Sequence, residues 1–335
     1  MVAPHTTQED DETLFRTTNY EVLGRLGQGA MGTVFFVRHR ETQGRCVAKV
    51  IHKHLVPDQK ARDRFRLEAQ SLGRLNHPHI VSARATGTTS DGRPFVVLEY
   101  LPGKTLSQVL RKESISAFTA LEYGRQLLLA LAAAHYVGVV HRDLNPGNII
   151  LAEQPDGSRL VKVLDFGLAK VLPQAPSGSP SPLIAPTTVG TIVGTPRYIS
   201  PEAAAGEGAD ERSDVYAAAL ILYKMLTGRD AFIQNGTEPL LRAQENEAPA
   251  PPSRWTSDFI SKRLDEVILQ ALAKNPANRF QGARQFMDAL LSCKEGLEKG
   301  ASPMKFRTTT RLALVFFGMV TLGVAAAYGL RVFVF

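Results

Sequence analysis

The sequence predicts an α+β chain of two unequal lobes, a small β-rich one and then a larger, mostly helical one, followed by one separate apolar helix. Three observations carry this. Residues 20–101 are β-branched and aromatic runs broken by glycine-containing turns, around a single helical stretch. After Leu101-Pro102-Gly103, long apolar-periodic stretches recur at 117–137, 214–227, 261–274 and 282–293. Residues 312–330 are 19 consecutive uncharged residues, mostly apolar. As a helix they would span about 28 Å, close to the hydrocarbon thickness of a bilayer.

The elements follow in order. Residues 1–19 carry one Arg against four acids and read as a flexible acidic tail. Strands follow at YEVLGRLG, TVFFVRHR and RCVAKVI. In RFRLEAQSLGRL, Phe65, Ala69, Leu72 and Leu75 share a helical face, and Asn76-His77-Pro78 stops the helix. Two more strands, around IVSARATG and PFVVLEY, flank the turn Ser90-Asp91-Gly92. Residues 172–186 hold five prolines and read as a loop without packed structure. Residues 292–311 form a basic linker. Lys305, Arg307 and Arg311 precede the 312–330 segment and suit the cytoplasmic side of a membrane. The expectation is a single-pass anchor in the inner cell membrane, with the main body cytoplasmic. The polar, acidic start does not read as a signal peptide.

Composition narrows the classes. Of 335 residues, 44% are hydrophobic and 21% charged, which excludes a disordered or fibrous chain. The net charge of +7 contains no Lys/Arg block of the kind that binds nucleic acid, so no nucleic-acid partner is expected. Part of it sits at 292–335, with six Lys/Arg against two Glu. Cys46 and Cys293 are too few and too far apart for a disulfide framework and fit a reducing cytosol. The pairs His52/His54 and His77/His79 have no cysteine or acid arrangement beside them and are not read as a metal site.

Chemistry starts at Gly27-Gln28-Gly29-Ala30-Met31-Gly32-Thr33-Val34. In a dinucleotide fold this spacing would open a helix. Here VFFVRHR follows, so the glycines join two strands and can lie over phosphates, offering backbone N–H groups. Lys49 in VAK is a cation in reach of those phosphates. Farther on come His141-Arg142-Asp143-Leu144-Asn145-Pro146-Gly147-Asn148 and, after an apolar strand, Asp165-Phe166-Gly167. With Glu68 on the first helix and Ser200-Pro201-Glu202 downstream, this ordered set resembles the eukaryotic-type (Hanks-type) Ser/Thr protein kinases that bacteria carry, often membrane-attached. The resemblance covers residues 20–291.

It implies a protein-kinase-like bilobal fold, with an N-lobe over 20–101, a C-lobe over 102–291 and an activation segment over 165–202. By the same resemblance Lys49 contacts the α- and β-phosphates of ATP and pairs with Glu68. Asp143 takes or orients the proton of the attacking hydroxyl, and Asn148 and Asp165 hold Mg²⁺ (or Mn²⁺). Leu26, Val34 and Ala48 are expected to roof the adenine, with Ile150 as its floor. Leu98 is the gatekeeper, and the backbones of Glu99 and Leu101 bond the base. His141 is expected to pack under Phe166, Asp214 to hold the catalytic-loop backbone, and Glu202 to pair with Arg279. Thr195, before Pro196, resembles the Ser/Thr-specific form of the segment that seats the substrate hydroxyl. Arg142 implies a phosphothreonine in the preceding loop, with Thr187, Thr188 and Thr191 as candidates.

One position departs from the pattern. Ser/Thr members usually have Lys two residues after the catalytic aspartate, where this chain has Asn145. Losing that charge costs about 2–4 kcal/mol of barrier, about 10²–10³ in rate. The resulting expectation is a kinase that phosphorylates protein Ser/Thr hydroxyls and its own loop, with room for a homodimer. The alternative is a weakly active pseudokinase scaffold that binds nucleotide and partner proteins. A small-molecule kinase is disfavoured by the form of 194–202.

Overall fold

Strand alternation organises the first lobe. The structure is a computed structural model that describes residues 11, 13–29, 31–59, 62, 65, 73, 75–166, 196–256, 258 and 260–293. Five antiparallel strands, β1 (Tyr20–Gln28), β2 (Gly32–His39), β3 (Arg45–Ile51), β4 (Ala83–Thr88) and β5 (Pro94–Glu99), form one sheet in the order β1-β2-β3-β5-β4. Because side chains alternate between faces, the sheet has two apolar surfaces. On the outer one Val22, Phe35, Val37, Cys46, Ala48, Val50, Phe95 and Val97 form a cluster of their own. On the inner one Ile51, Val96 and Leu98 join the core of the second lobe.

The outer surface corrects one expectation. Residues 13–19 are not a flexible tail but part of this lobe. Leu14 and Phe15 are buried, Phe15 completely, and the Phe15 ring meets those of Phe35 and Phe95 at 5.6 and 5.3 Å. Ser90 ties the segment down: its N–H donates to Leu14 O at 3.0 Å and its hydroxyl to Thr13 O at 2.9 Å. Asp11 pairs with Arg25 at 2.8 Å. The acids dominate the composition, but two apolar residues decide the packing.

Gln59, Arg62, Phe65 and Gly73 are helical between β3 and β4. Phe65 and Leu75 are buried in the shared core, as their periodicity predicts. Residues 60–61, 63–64, 66–72 and 74, Glu68 included, lie outside the described residues.

The second lobe is built on helices, those of 117–136, 211–227, 262–271 and 283–292 at the expected places and those of 106–110, 201–205 and 237–246 in addition. They are α1 (Leu106–Leu110), α2 (Ala117–Tyr136), α3 (Pro201–Ala205), α4 (Glu211–Thr227), α5 (Thr237–Asn246), α6 (Lys262–Ala271) and α7 (Ala283–Ser292). Side-chain oxygens of Thr105, Ser116, Asp210 and Ser261 accept N–H groups at the starts of α1, α2, α4 and α6. α4 is buried all round, including Tyr216 and Tyr223, which makes it the central post of the lobe. Gly124 of α2 packs against it, since a Cβ there would lie 2.9 Å from Leu222. A small sheet, β6 (Gly103–Thr105), β7 (Ile149–Glu153) and β8 (Arg159–Val163), faces the first lobe in the order β6-β7-β8.

Residues 79–82 fasten one lobe to the other. Val163 N–H donates to His79 O at 2.9 Å and Val81 N–H to Val163 O at 3.0 Å. Lys162 Nζ, on β8, lies 2.6 Å from the Glu99 carboxylate and 3.3 Å from Ile80 O. Glu99 also accepts Ser82 N–H at 2.9 Å.

The expected 292–311 linker from residue 294 onward and the expected membrane segment 312–330 lie outside the described residues. So do Thr187, Thr188, Thr191, Thr195 and most of the 165–202 segment. Among the described residues, no helix is long and apolar enough to cross a membrane.

Candidate active site

The lower wall of the cleft is a loop hung from a buried carboxylate. Asp214, in the first turn of α4, is 1% exposed. Its Oδ2 accepts His141 N–H at 2.8 Å and its Oδ1 accepts Arg142 N–H at 2.9 Å. His135 Nε2 donates to the same carboxylate at 2.8 Å. These bonds hold Arg142 at φ 65°, a left-handed conformation that costs a non-glycine residue about 1–3 kcal/mol.

His141 uses both ring nitrogens. Nε2 lies 2.9 Å from Leu164 O, so it carries the proton, and Nδ1 accepts Asp143 N–H at 3.3 Å. Its ring packs on Phe166 at 4.8 Å, and both side chains are fully buried. Neither nitrogen is left for proton transfer, so the ring is structural.

Two asparagines frame Asp143. Asn148 Nδ2 donates to Asp143 O at 2.9 Å and approaches its carboxylate at 3.4 Å. Asn145 Nδ2 donates to Asp143 O at 3.0 Å, while Asn145 Oδ1 accepts Gly147 N–H at 2.9 Å. The Asn145 amide is therefore spent on its own loop and does not project like the lysine it replaces. Leu164 N–H donates to Asn148 O at 2.8 Å, which sets Asp165 beside Asn148. Asp165 is also left-handed, at φ 57°. An amide oxygen and a carboxylate are the hard donors that a divalent cation such as Mg²⁺ takes, so this pair fits the metal the fold implies.

The upper wall is the sheet. Lys49 of β3 is buried, and its Nζ lies 3.1 Å from Asp165 Oδ1 across the cleft. Above it Gly29 and Met31 lie in the turn between β1 and β2, with Gly27 and Gln28 at the end of β1 and Gly32 and Thr33 at the start of β2; Ala30 lies outside the described residues. Gly32 is required there: a Cβ would sit 2.2 Å from Val50 O.

The adenine roof needs one correction. Ala48 pairs with Phe35 and belongs to the outer cluster under Phe15, on the opposite face from Lys49. Strand parity puts Val47 on the Lys49 face, where it pairs with Leu98 and packs on the inner core. Val47 therefore replaces Ala48, and counting two residues back from Lys49 would have found it. Val34 pairs directly with Lys49, Leu98 is buried, and Leu101 and Ile150 are half-buried. Leu26 is exposed. Lys162 was also missed; its signal is a lone lysine in the apolar strand LVKVL.

Below the cleft, Arg279 makes a bidentate pair with Glu202, both bonds 2.8 Å, and Ser213 Oγ donates to Glu202 at 2.7 Å. Burial pushes the Glu202 carboxyl upward, but these hydrogen bonds and the Arg279 charge outweigh it and hold it below its usual range. Nearby, Lys274 lies over the Phe232 ring and donates to the carbonyls of Ala243 and Gln244. Burial and the neighbouring Arg279 bring its amine down to about 8.

A glycine turn and lysine above, with an Asp–Asn–Asp trio below, are the layout of a phosphotransferase cleft between two lobes. A model of the protein kinase domain matches residues 20–291, and the chain belongs to that family. It is 38% identical to the serine/threonine-protein kinase pkn3 of Myxococcus xanthus, over 84% of this chain and 51% of that one. With PknB of Mycolicibacterium smegmatis the identity is 37%, over 83% of this chain and 43% of that one. The chain thus spans about half the length, or less, of these curated relatives. A crystal structure of the Mycobacterium tuberculosis PknI kinase domain superposes with a TM-score of 0.62 at 29% identity, covering 83% of this chain and 96% of that one.

Proposed function

We propose that the chain is an ATP-dependent serine/threonine protein kinase attached to the inner cell membrane. The observation that carries the reading is the Lys49–Asp165 ion pair, which spans the cleft above the Asp143–Asn148 loop. Lys49 and the turn's N–H groups bind the phosphates, and Val34, Val47, Leu98 and Ile150 enclose the base. Asp143 receives the proton of the attacking Ser/Thr hydroxyl, and the Asn145 and Asn148 amides fix the backbone that carries it. Asn148 and Asp165 would hold the metal, which when bound neutralises charge between the β- and γ-phosphates. Catalysis of this kind is mostly positioning, so a site held this firmly supports turnover even with Asn145 in place of lysine. That argues against the scaffold alternative.

The membrane part of the reading rests on the 19 uncharged residues of 312–330 and the basic residues before them. Regulation by a phosphate on Thr187, Thr188 or Thr191, read by Arg142, rests on the sequence alone, and mass spectrometry of the purified protein tests it. For the activity, the chain is incubated with radiolabelled ATP and a protein substrate beside Asp143→Asn. Label in the wild type only is expected; equal label in both, or none in either, refutes the reading. Removing residues 305–335 should release active kinase from membranes, and a truncated protein that still sediments with them refutes the anchor.

A further inference from the structure

The end of β3 does more than carry Lys49. Ile51, its last residue, is followed by His52, which reaches back to the glycine turn twice. Its backbone N–H donates to Met31 O at 3.0 Å, and its ring Nε2 lies 2.8 Å from Gly29 O. A carbonyl oxygen only accepts, so Nε2 carries the proton. The ring is stacked on that of His54, with centroids 5.4 Å and planes 16° apart. Between the two anchored carbonyls the turn closes on itself through Gly29 N–H to Gly32 O at 2.9 Å. Gly32 is itself pressed onto the backbone of Val50. Consecutive residues at the end of one strand therefore hold Gly29, Met31 and Gly32 of the turn.

We propose that His52 is a positioning residue for ATP, a latch that draws the Gly29 and Met31 carbonyl oxygens away from the phosphate side of the turn. This rests on the reading that the turn covers ATP. A phosphate is attracted by N–H dipoles and repelled by the negative ends of carbonyls, so a turn serves it best when its carbonyls are engaged elsewhere. His52 occupies two of them, one through its ring and one through its backbone. His54, stacked on the ring, limits its rotation. Neither histidine touches Lys49, Asp143 or Asp165 in the described contacts, so the latch acts through the loop alone.

The test uses the full-length chain in mild detergent, with MgATP binding measured by calorimetry and KM and kcat by phosphotransfer. In His52→Ala the Kd and KM for ATP should rise about 3–10-fold, the value of one hydrogen bond. A loop latch predicts that kcat stays within about twofold, since the lost interaction belongs to nucleotide binding. His52→Gln, whose amide N–H can reach the same carbonyl, should return Kd to within about twofold of wild type. Unchanged ATP affinity in His52→Ala, or a Gln variant as weak as the Ala one, overturns the latch. So does a fall in kcat with KM unchanged. A wild-type chain that binds no MgATP would overturn the nucleotide reading itself, and the latch with it.

Discussion

The two walls of the cleft are held by different physics. The lower wall hangs on hydrogen bonds to one buried carboxylate, Asp214, which fixes consecutive backbone N–H groups and a strained φ at Arg142. The upper wall is a sheet backed on its far side by apolar contact, with Phe15 pressed against Phe35 and Phe95 behind the strand that carries Lys49. Hydrogen bonds set directions within narrow angles. Apolar packing sets volume and leaves orientation to strand pairing. On the proposed function the asymmetry suits each wall: Asp143 would face a single hydroxyl, whereas Lys49 would sit at the right height over phosphates.

The largest break should come from the lower wall. Asp214→Ala strands the His141 and Arg142 N–H groups and His135 in a dry interior. It should cost about 3–5 kcal/mol, read from the denaturant midpoint, and abolish measurable phosphotransfer. Next is the upper wall, where Phe15→Ala empties a fully buried ring site. A loss of about 3 kcal/mol and a fall in Tm of about 6–12 °C are expected. Residual activity at low temperature should survive, because no catalytic direction depends on that ring. If instead both variants lose activity in proportion to stability alone, the distinction between the walls fails.

The seam between the walls sharpens the comparison. Glu99→Gln leaves the buried Lys162 ammonium without its counter-charge and should cost about 2–3 kcal/mol. Its signature would be faster hydrogen exchange at Ser82 and Glu99, where the two lobes are fastened. The smallest effect is one of pH. The Glu202 carboxyl is held below its usual range, so its contribution is complete above the unfolded carboxyl's value and disappears as pH falls through the folded one. Glu202→Gln should flatten the acid side of the stability profile relative to wild type. Lys274 has the same sign in an alkaline window: its amine is lowered to about 8, so stability should rise as pH climbs from there toward the ordinary lysine value of 10.5. An alkaline limb unchanged in Lys274→Met would refute that assignment.

Most of the fold and the centre of the site were legible because they are local. Glycines that a turn requires, a helix stopped at Asn76-His77-Pro78, and a tripeptide such as Asp165-Phe166-Gly167 are written within a few residues. What was hard to read was parity and distance. Register with the family's motifs puts Ala48 in the adenine roof, although it is the strand neighbour of Lys49 and strand neighbours face opposite ways. Leu14 and Phe15 sit in a stretch whose composition is acidic, and composition does not reveal that two individual apolar residues in it are buried. The contact of Lys162 with Glu99 joins positions 63 apart, and that of Lys49 with Asp165 joins positions 116 apart. No periodicity reports such pairs. The folded-back amide of Asn145 was likewise invisible, since residue type alone does not say which way a side chain turns.

The segment of residues 13–19 lies before the point where the family match begins, at Tyr20. A recombinant domain cut at that boundary would keep every catalytic group and lose the cover over Phe35 and Phe95. The bared β face is the kind of surface on which chains associate. Such a protein would be expected to come out of the cell as inclusion bodies, and starting a few residues earlier, before Asp11, should keep it in solution.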